Sequence, residues 1–346
     1  MDPVLVRGVS PAAVVRRVDP AGLDGSAPLA RIDGPDAVFA LLAPRLALGE
    51  SRLRELVGSE VDVVEAVARY LVDAGGKRLR PMLTALGAGA VGFTGDLPSL
   101  MCVGELIHLG SLLHDDVVDG AVQRRSRPSA HLVYGNAATI LTGDFCLARA
   151  VLLASTAGGH GAVTALAEAV TAMAEGEVLQ LQRAGSLGTS LHEYLDMVDK
   201  KSAALISWCA AAGALGSGQP AAAAALARFG RGVGVAFQVT DDVLDYAPGT
   251  GKLAGADLRE RKLTLPLVHA MARIPGLRAR LEAGSPTPDE LPALIAEIRA
   301  SGALEAALDE ARARVNQALA ALDELPPGPD RDALRVLGRF LVERAA

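Results

Sequence analysis

Aromatic side chains are scarce: Phe, Tyr and Trp together make up 3% of the 346 residues. Strands favour aromatic and β-branched residues. Their scarcity, beside abundant Ala, Leu, Arg and Glu, all strong helix formers, predicts an all-α fold. Cysteine is nearly absent too. Cys102, Cys146 and Cys209 are isolated from one another, no pair has zinc-ligand spacing, and three is an odd number for a disulfide framework. They read as small buried hydrophobes in a reducing, cytoplasmic setting. The N-terminus lacks the continuous apolar segment of a signal peptide or anchor. No run of about 18 residues is uncharged and apolar throughout, so no integral membrane segment is expected and the chain should be soluble. Positive charge is not in excess either. With 34 Lys and Arg against 40 Asp and Glu the net charge is −6, which excludes the basic footprint of general nucleic-acid binding.

Half of the residues are hydrophobic, enough for a large core. Residues 1–35, rich in Pro, Gly, Asp and Ala, read as an N-terminal extension, partly disordered. Residues 36–346 read as a single all-helical domain without an internal linker. Helical periodicity covers 36–56, 61–72, 82–90 and about 97–120. It resumes over 136–157 and 161–182, then from a Ser190/Glu193 capping box to about 215, then over 221–246, 290–300, 303–323 and 330–344.

One stretch, Glu105 to Arg125, resists a packing explanation. It is apolar for ten residues and then carries Asp115, Asp116 and Asp119, followed by Arg124 and Arg125. Asp115 and Asp119 share a helix face, and like charges there repel unless a cation lies between them. Mg²⁺ is the natural candidate, since it takes carboxylate oxygens together with substrate phosphates. A second copy, Asp241, Asp242 and Asp245, lies far downstream. All six are candidate metal ligands. GGKRLRP at 75–81 places Lys77, Arg78 and Arg80 in a glycine-freed turn, a candidate phosphate clamp. His108 lies two helical turns before Asp115, Lys201-Ser202 lie inside a helix, and Gln238 lies one turn before Asp241. Asp144 reads as a buried structural carboxylate, and Glu177 and Gln180 face either a cavity or solvent. A glycine-rich loop beyond Tyr246 carries Lys252 and Lys262. Six carboxylates and this many cations suit two diphosphates, one held through Mg²⁺ and one by Arg and Lys, with an apolar cavity for the rest of the substrate.

These segments, with GNAATILTGD (135–144), EGEVLQL (175–181), KSA (201–203), FQVTDDVLDY (237–246) and GKLAGADLRERKLTLP (251–266) in the same order, resemble the trans-isoprenyl diphosphate synthases, or polyprenyl synthetases. The resemblance implies an antiparallel helical bundle around a deep central cavity, the isoprenoid synthase type I fold, usually as a homodimer. It implies stepwise condensation of isopentenyl diphosphate onto an allylic diphosphate such as farnesyl or geranylgeranyl diphosphate. Asp115 and Asp119 would then hold two Mg²⁺ and Asp241, with Asp245 nearby, a third. Arg124, Lys201 and Lys252 match positions that contact the allylic diphosphate. Lys77, Arg80, His108 and Arg125 match the isopentenyl diphosphate site, Ser202 and Gln238 lie near the allylic group, and Lys262 belongs to a closing loop. Ser202 stands where Thr is usual, Ala256 where Asp is common, and Arg261 where Gly is common. In the family the released diphosphate removes the final proton, so no side-chain base is required.

The resemblance also makes product length a matter of side-chain size. A bulky aromatic four or five residues before the first aspartate acts as a floor in the family. Here those positions are Ser111 and Gly110, with Ile107 and Val103 deeper on the same face. The expectation is a long product, of the kind used for quinone side chains, and a shorter one from Gly110→Tyr. A geranylgeranyl-type synthase and a non-catalytic subunit of a heteromeric synthase are the alternative readings.

Overall fold

The computed structural model describes residues 32–125, 127–183, 185–247, 255–259 and 262–343. Most of the N-terminal extension, and Lys252, Arg261 and the loop around them, lie outside these residues. In chain order the helices are α1 (Pro35–Leu56), α2 (Asp62–Val72), α3 (Leu79–Ala90), α4 (Leu97–Val118), α5 (Ala130–Tyr134), α6 (Asn136–Arg183), α7 (Leu191–Val198), α8 (Ala204–Gly216), α9 (Pro220–Leu244), α10 (Ala256–Arg259), α11 (Leu265–Arg273), α12 (Leu277–Ala283), α13 (Leu291–Ala300), α14 (Ala303–Ala321) and α15 (Pro329–Glu343). A π-helical turn, Asp199–Ala203, joins α7 to α8. Among the described residues the strands are one short antiparallel pair, β1 (Gln123–Arg124) and β2 (Arg127–Pro128).

Contacts divide the chain into two compact units. The first takes in residues up to Leu166 with Cys209–Ala223 and Pro326–Leu334; the second takes in Ala167–Trp208, Ala224–Leu325 and the residues from Arg335 onward. In the first unit α4 is the central element. Asp96 caps it, accepting from the Ser99 amide at 3.1 Å. Leu100, Val103, Leu106, Ile107 and Leu113 are at most 1% exposed, and α4 packs on α1 and α3. A helix that is apolar on every side is a core helix. In the second unit α11 packs on α14 and α7, and Phe229 and Tyr246 are fully buried.

The break expected near 157–161 is a real one. Gly159 has φ +72° and ψ −171°, values outside any helix, and it kinks α6. By length and composition α4 and α6 could each cross a membrane. The expectation of no such run holds only in the strict sense of apolar throughout: α4 contains Glu105, and the uncharged stretch 150–167 of α6 is interrupted by Ser155, Thr156 and His160. The apolar window of α4 is 67% buried within the fold, as a core helix requires, and that of α6 is 39% buried.

Candidate active site

The first unit presents the first aspartate motif at the end of α4. Asp115 is half-buried, Asp116 is buried, and Asp119 is the exposed C-cap. Carboxylates at a helix C-terminus face the negative end of the helix dipole, which disfavours them without a nearby cation. Arg124 supplies one: Nε and Nη2 both donate to Asp116 Oδ1, at 2.8 and 2.6 Å. Asp116 Oδ2 is buried and has no hydrogen-bond partner among the described residues. Asp116 and Arg124, expected to meet metal and diphosphate, are thus turned toward each other, which leaves Asp115 and Asp119 on the open side.

His108 and the basic cluster lie in the same unit. His108 is half-buried. Burial first, then the charges of Arg80, Arg125, Arg124 and Arg78, hold its pKa well below the ordinary 6.5. A neutral imidazole facing guanidinium groups is a surface prepared for an anion. Arg80 is half-buried and Lys77 is exposed. Arg125, at φ +50°, donates from Nη1 to the carbonyls of Gly75 and Leu71. Arg78 departs from the clamp expectation. It stands at φ +51°, and its guanidinium forks onto Glu50 at 2.9 and 3.0 Å and reaches Glu105 at 2.9 Å. These ion pairs tie the start of α3 to α1 and α4 and hold the left-handed turn in place.

The proposed ruler positions differ among themselves. A Cβ on Gly110 would stand 2.9 Å from the Gly143 carbonyl oxygen and 3.2 Å from Leu147 Cγ. Gly110 is therefore where α4 and α6 touch, not open space. Ser111 is half-buried, and its hydroxyl donates to the His108 carbonyl at 3.0 Å. Ile107 is buried. Asp144, expected to be buried, has a 58% exposed side chain and lies 3.3 Å from His114 Nε2.

In the second unit, a small cavity of about 80 Å³ is lined by Gln180, Tyr194, Met197, Val198, Lys201, Ser202, Gln238, Asp242, Lys262 and Leu263. The π-helical turn delivers Lys201 and Ser202. Such turns widen a helix by one residue and are frequent at functional sites. Lys201 Nζ lies 2.5 Å from Glu177 and 3.2 Å from Gln180 Oε1, which settles where those α6 residues face. Ser202 Oγ donates to Gln238 Oε1 at 3.0 Å, and Gln238 Nε2 donates to Asp242 Oδ1 at 2.8 Å. Tyr194 Oη donates to Asp242 Oδ2 at 2.7 Å. Burial raises the Asp242 carboxyl to about 7 despite Lys262 nearby. Lys262 lies 3.4 Å from Asp257, whose amide donates to Asp245 Oδ2 at 3.2 Å. Asp241 and Asp245 are half-buried, while Asp242 is 4% exposed.

Each motif therefore buries its second aspartate and leaves its first and third partly or fully exposed. No three Asp, Glu, His or Cys side chains form a ready metal cage among the described residues. Two carboxylates per helix end still fit Mg²⁺, which takes one or two from protein and completes its shell with phosphate and water. Tyr194 was missed by sequence reasoning. Its position, seven residues and two helical turns before Lys201, was the available signal.

The polyprenyl synthetase family profile matches residues 61–297. The chain belongs to the polyprenyl synthetase family. Octaprenyl diphosphate synthase of Escherichia coli strain K12 is 37% identical to this family member over 319 residues, 89% of this chain and 98% of that relative. A crystal structure of a decaprenyl diphosphate synthase from Rhodobacter capsulatus is similar with a TM-score of 0.83 and 38% identity, covering 90% of this polyprenyl synthetase chain and 99% of its own. The polyprenyl synthase of Caulobacter crescentus CB15, solved with calcium and isoprenyl diphosphate, has a TM-score of 0.85 and 39% identity over 90% of this chain and 98% of its own. The fold of this family member is the all-α isoprenoid synthase fold.

Proposed function

We propose that this enzyme condenses isopentenyl diphosphate head-to-tail with an allylic diphosphate, farnesyl or geranylgeranyl, and repeats the step to give a long-chain all-trans polyprenyl diphosphate for quinone side chains. The observation that carries the reading is the doubled helix end: Asp115 with Asp119, and Asp241 with Asp245, each an outward carboxylate pair on the last turn of an apolar helix or just beyond it. These four residues would hold Mg²⁺, three ions by family resemblance. Bound there, the metal supplies neutralisation of charge on the departing diphosphate. Lys201 and Lys262 offer that leaving group positive charge, and the resemblance adds Lys252. Arg80, Arg125 and neutral His108, with Lys77, form the anion surface for the isopentenyl diphosphate. Ser202 and Gln238 face the allylic carbon, where positive charge develops. The names of the similar proteins, octaprenyl and decaprenyl synthases, support a long product, as does the small side chain of Ser111.

A cytoplasmic homodimer is part of the same reading. Leu132, Leu141, Val151 and Leu152 on α5 and α6 are 48–63% exposed, and an apolar stripe of this kind suits a second copy of the chain.

Incubating the purified chain and Mg²⁺ with labelled isopentenyl diphosphate and either starter, followed by chromatography, tests the reading. Products beyond geranylgeranyl are expected. Growth that stops there would support the shorter-chain alternative, and no product at all would point to a subunit needing a catalytic partner. Ser111→Tyr should shorten the product distribution. The earlier choice, Gly110→Tyr, would have to push the α6 backbone aside and confounds length with folding.

A further inference from the structure

We propose that Tyr194 and Asp242 are positioning residues that fix which end of the Gln238 amide faces the reacting allylic group, and that Asp242 is not a metal ligand. The inference rests on the prenyl-transfer reading and deepens it. A carboxyl group offers acceptor lone pairs on both of its oxygens. Asp242 accepts one on each oxygen, from Tyr194 Oη at 2.7 Å and from Gln238 Nε2 at 2.8 Å. Tyr194 is 1% exposed and Asp242 4% exposed, so water has little access to either. The Gln238 NH₂ group is thereby committed to Asp242, and its carbonyl oxygen must point the other way. There it accepts the Ser202 proton at 3.0 Å, and both oxygens keep further acceptor lone pairs. All four residues line the same cavity. The result is an electron-rich wall, suited to positive charge developing on carbon and preorganised before substrate arrives. An amide free to flip would present NH₂ donors half of the time and would oppose that charge.

The chain of bonds separates this role from metal binding experimentally. Tyr194→Phe removes one hydroxyl, whose partner is the buried Asp242. Its expected effect is a fall in kcat of roughly 10- to 100-fold, the scale of a misplaced positioning group. KM for the allylic diphosphate and the Mg²⁺ concentration at half-maximal rate should stay within about twofold of wild type. Asp242→Asn, whose own amide can present either end to Gln238, should do the same. In the Tyr194→Phe/Gln238→Ala double variant, Tyr194→Phe should add almost nothing to the loss from Gln238→Ala, because Tyr194 acts only through that amide. Circular dichroism melts accompany each variant, and the comparison is made among those that melt like wild type. Losses that multiply in the double variant would overturn the inference, and so would a raised Mg²⁺ requirement in Asp242→Asn. Wild-type turnover with unaffected variants sinks this inference alone, whereas absence of wild-type turnover sinks the prenyl-transfer reading and the inference with it.

Discussion

His108 stays neutral in the fold because burial and the surrounding arginines oppose its protonation, and this has a cost on acidification. Between its depressed native pKa and the unfolded value near 6.5, the unfolded chain binds a proton that the folded chain does not. Stability therefore falls as pH drops through that window and is fully retained above it. His108→Gln removes this slope. Thermal melts of wild type and variant between about pH 7 and pH 5 should show the wild type losing more, and parallel curves would refute the assignment. At this scale the sequence reveals residue type and spacing well. The aspartates, His108, Lys201 and Gln238 could all be singled out by pattern. Which aspartate turns inward could not, because that depends on Arg124 for Asp116 and on Tyr194 for Asp242, partners eight and 48 residues away. Asp144 was misplaced for the same reason: burial depends on what lies opposite a helix face.

Elements with local chemistry were the most legible. The Ser190/Glu193 capping box forms as expected, with amide-to-oxygen distances of 2.8 and 3.3 Å, and Gly159 breaks α6 where periodicity falters. The π-helical turn left no such trace, because it is set by neighbours. A Cβ on Gly176 would stand 2.6 Å from the Lys201 amide nitrogen, and one on Gly234 would stand 2.7 Å from Ala203 Cα. Two glycines from two helices thus grip the widened turn from its backbone side. Gly176→Ala is expected to destabilise the protein by about 1–3 kcal/mol, the usual range for overpacking, and to lower kcat by shifting Lys201 and Ser202. Urea unfolding together with steady-state kinetics measures both. Wild-type stability with wild-type rate would show that the turn tolerates the methyl.

At the scale of the whole molecule, the exposed apolar stripe on α5 and α6 carries its own prediction. Leu141 and Leu152 are 63% and 55% exposed and lie eleven residues apart, three helical turns along one face. Replacing both with Glu should convert a dimer to a monomer in sedimentation or light scattering, and an unchanged mass would remove that face from consideration. The all-α class was readable from composition alone, whereas the pairing of distant segments was not. Arg45 of α1 donates to the Ala85 carbonyl at 3.2 Å and, through both Nη atoms, to Asp330, and the first unit is completed by Cys209–Ala223 and Pro326–Leu334. On the ribosome this unit cannot close until the last segment has emerged, tens of seconds after α1 at about 5–20 residues per second. Through that interval the apolar faces of α1, α3 and α4 wait for their final partner, so the nascent chain exposes apolar surface for longer than a unit built from one continuous segment would. Clipping the last twenty residues would leave the first unit unfinished as well as trimming a tail.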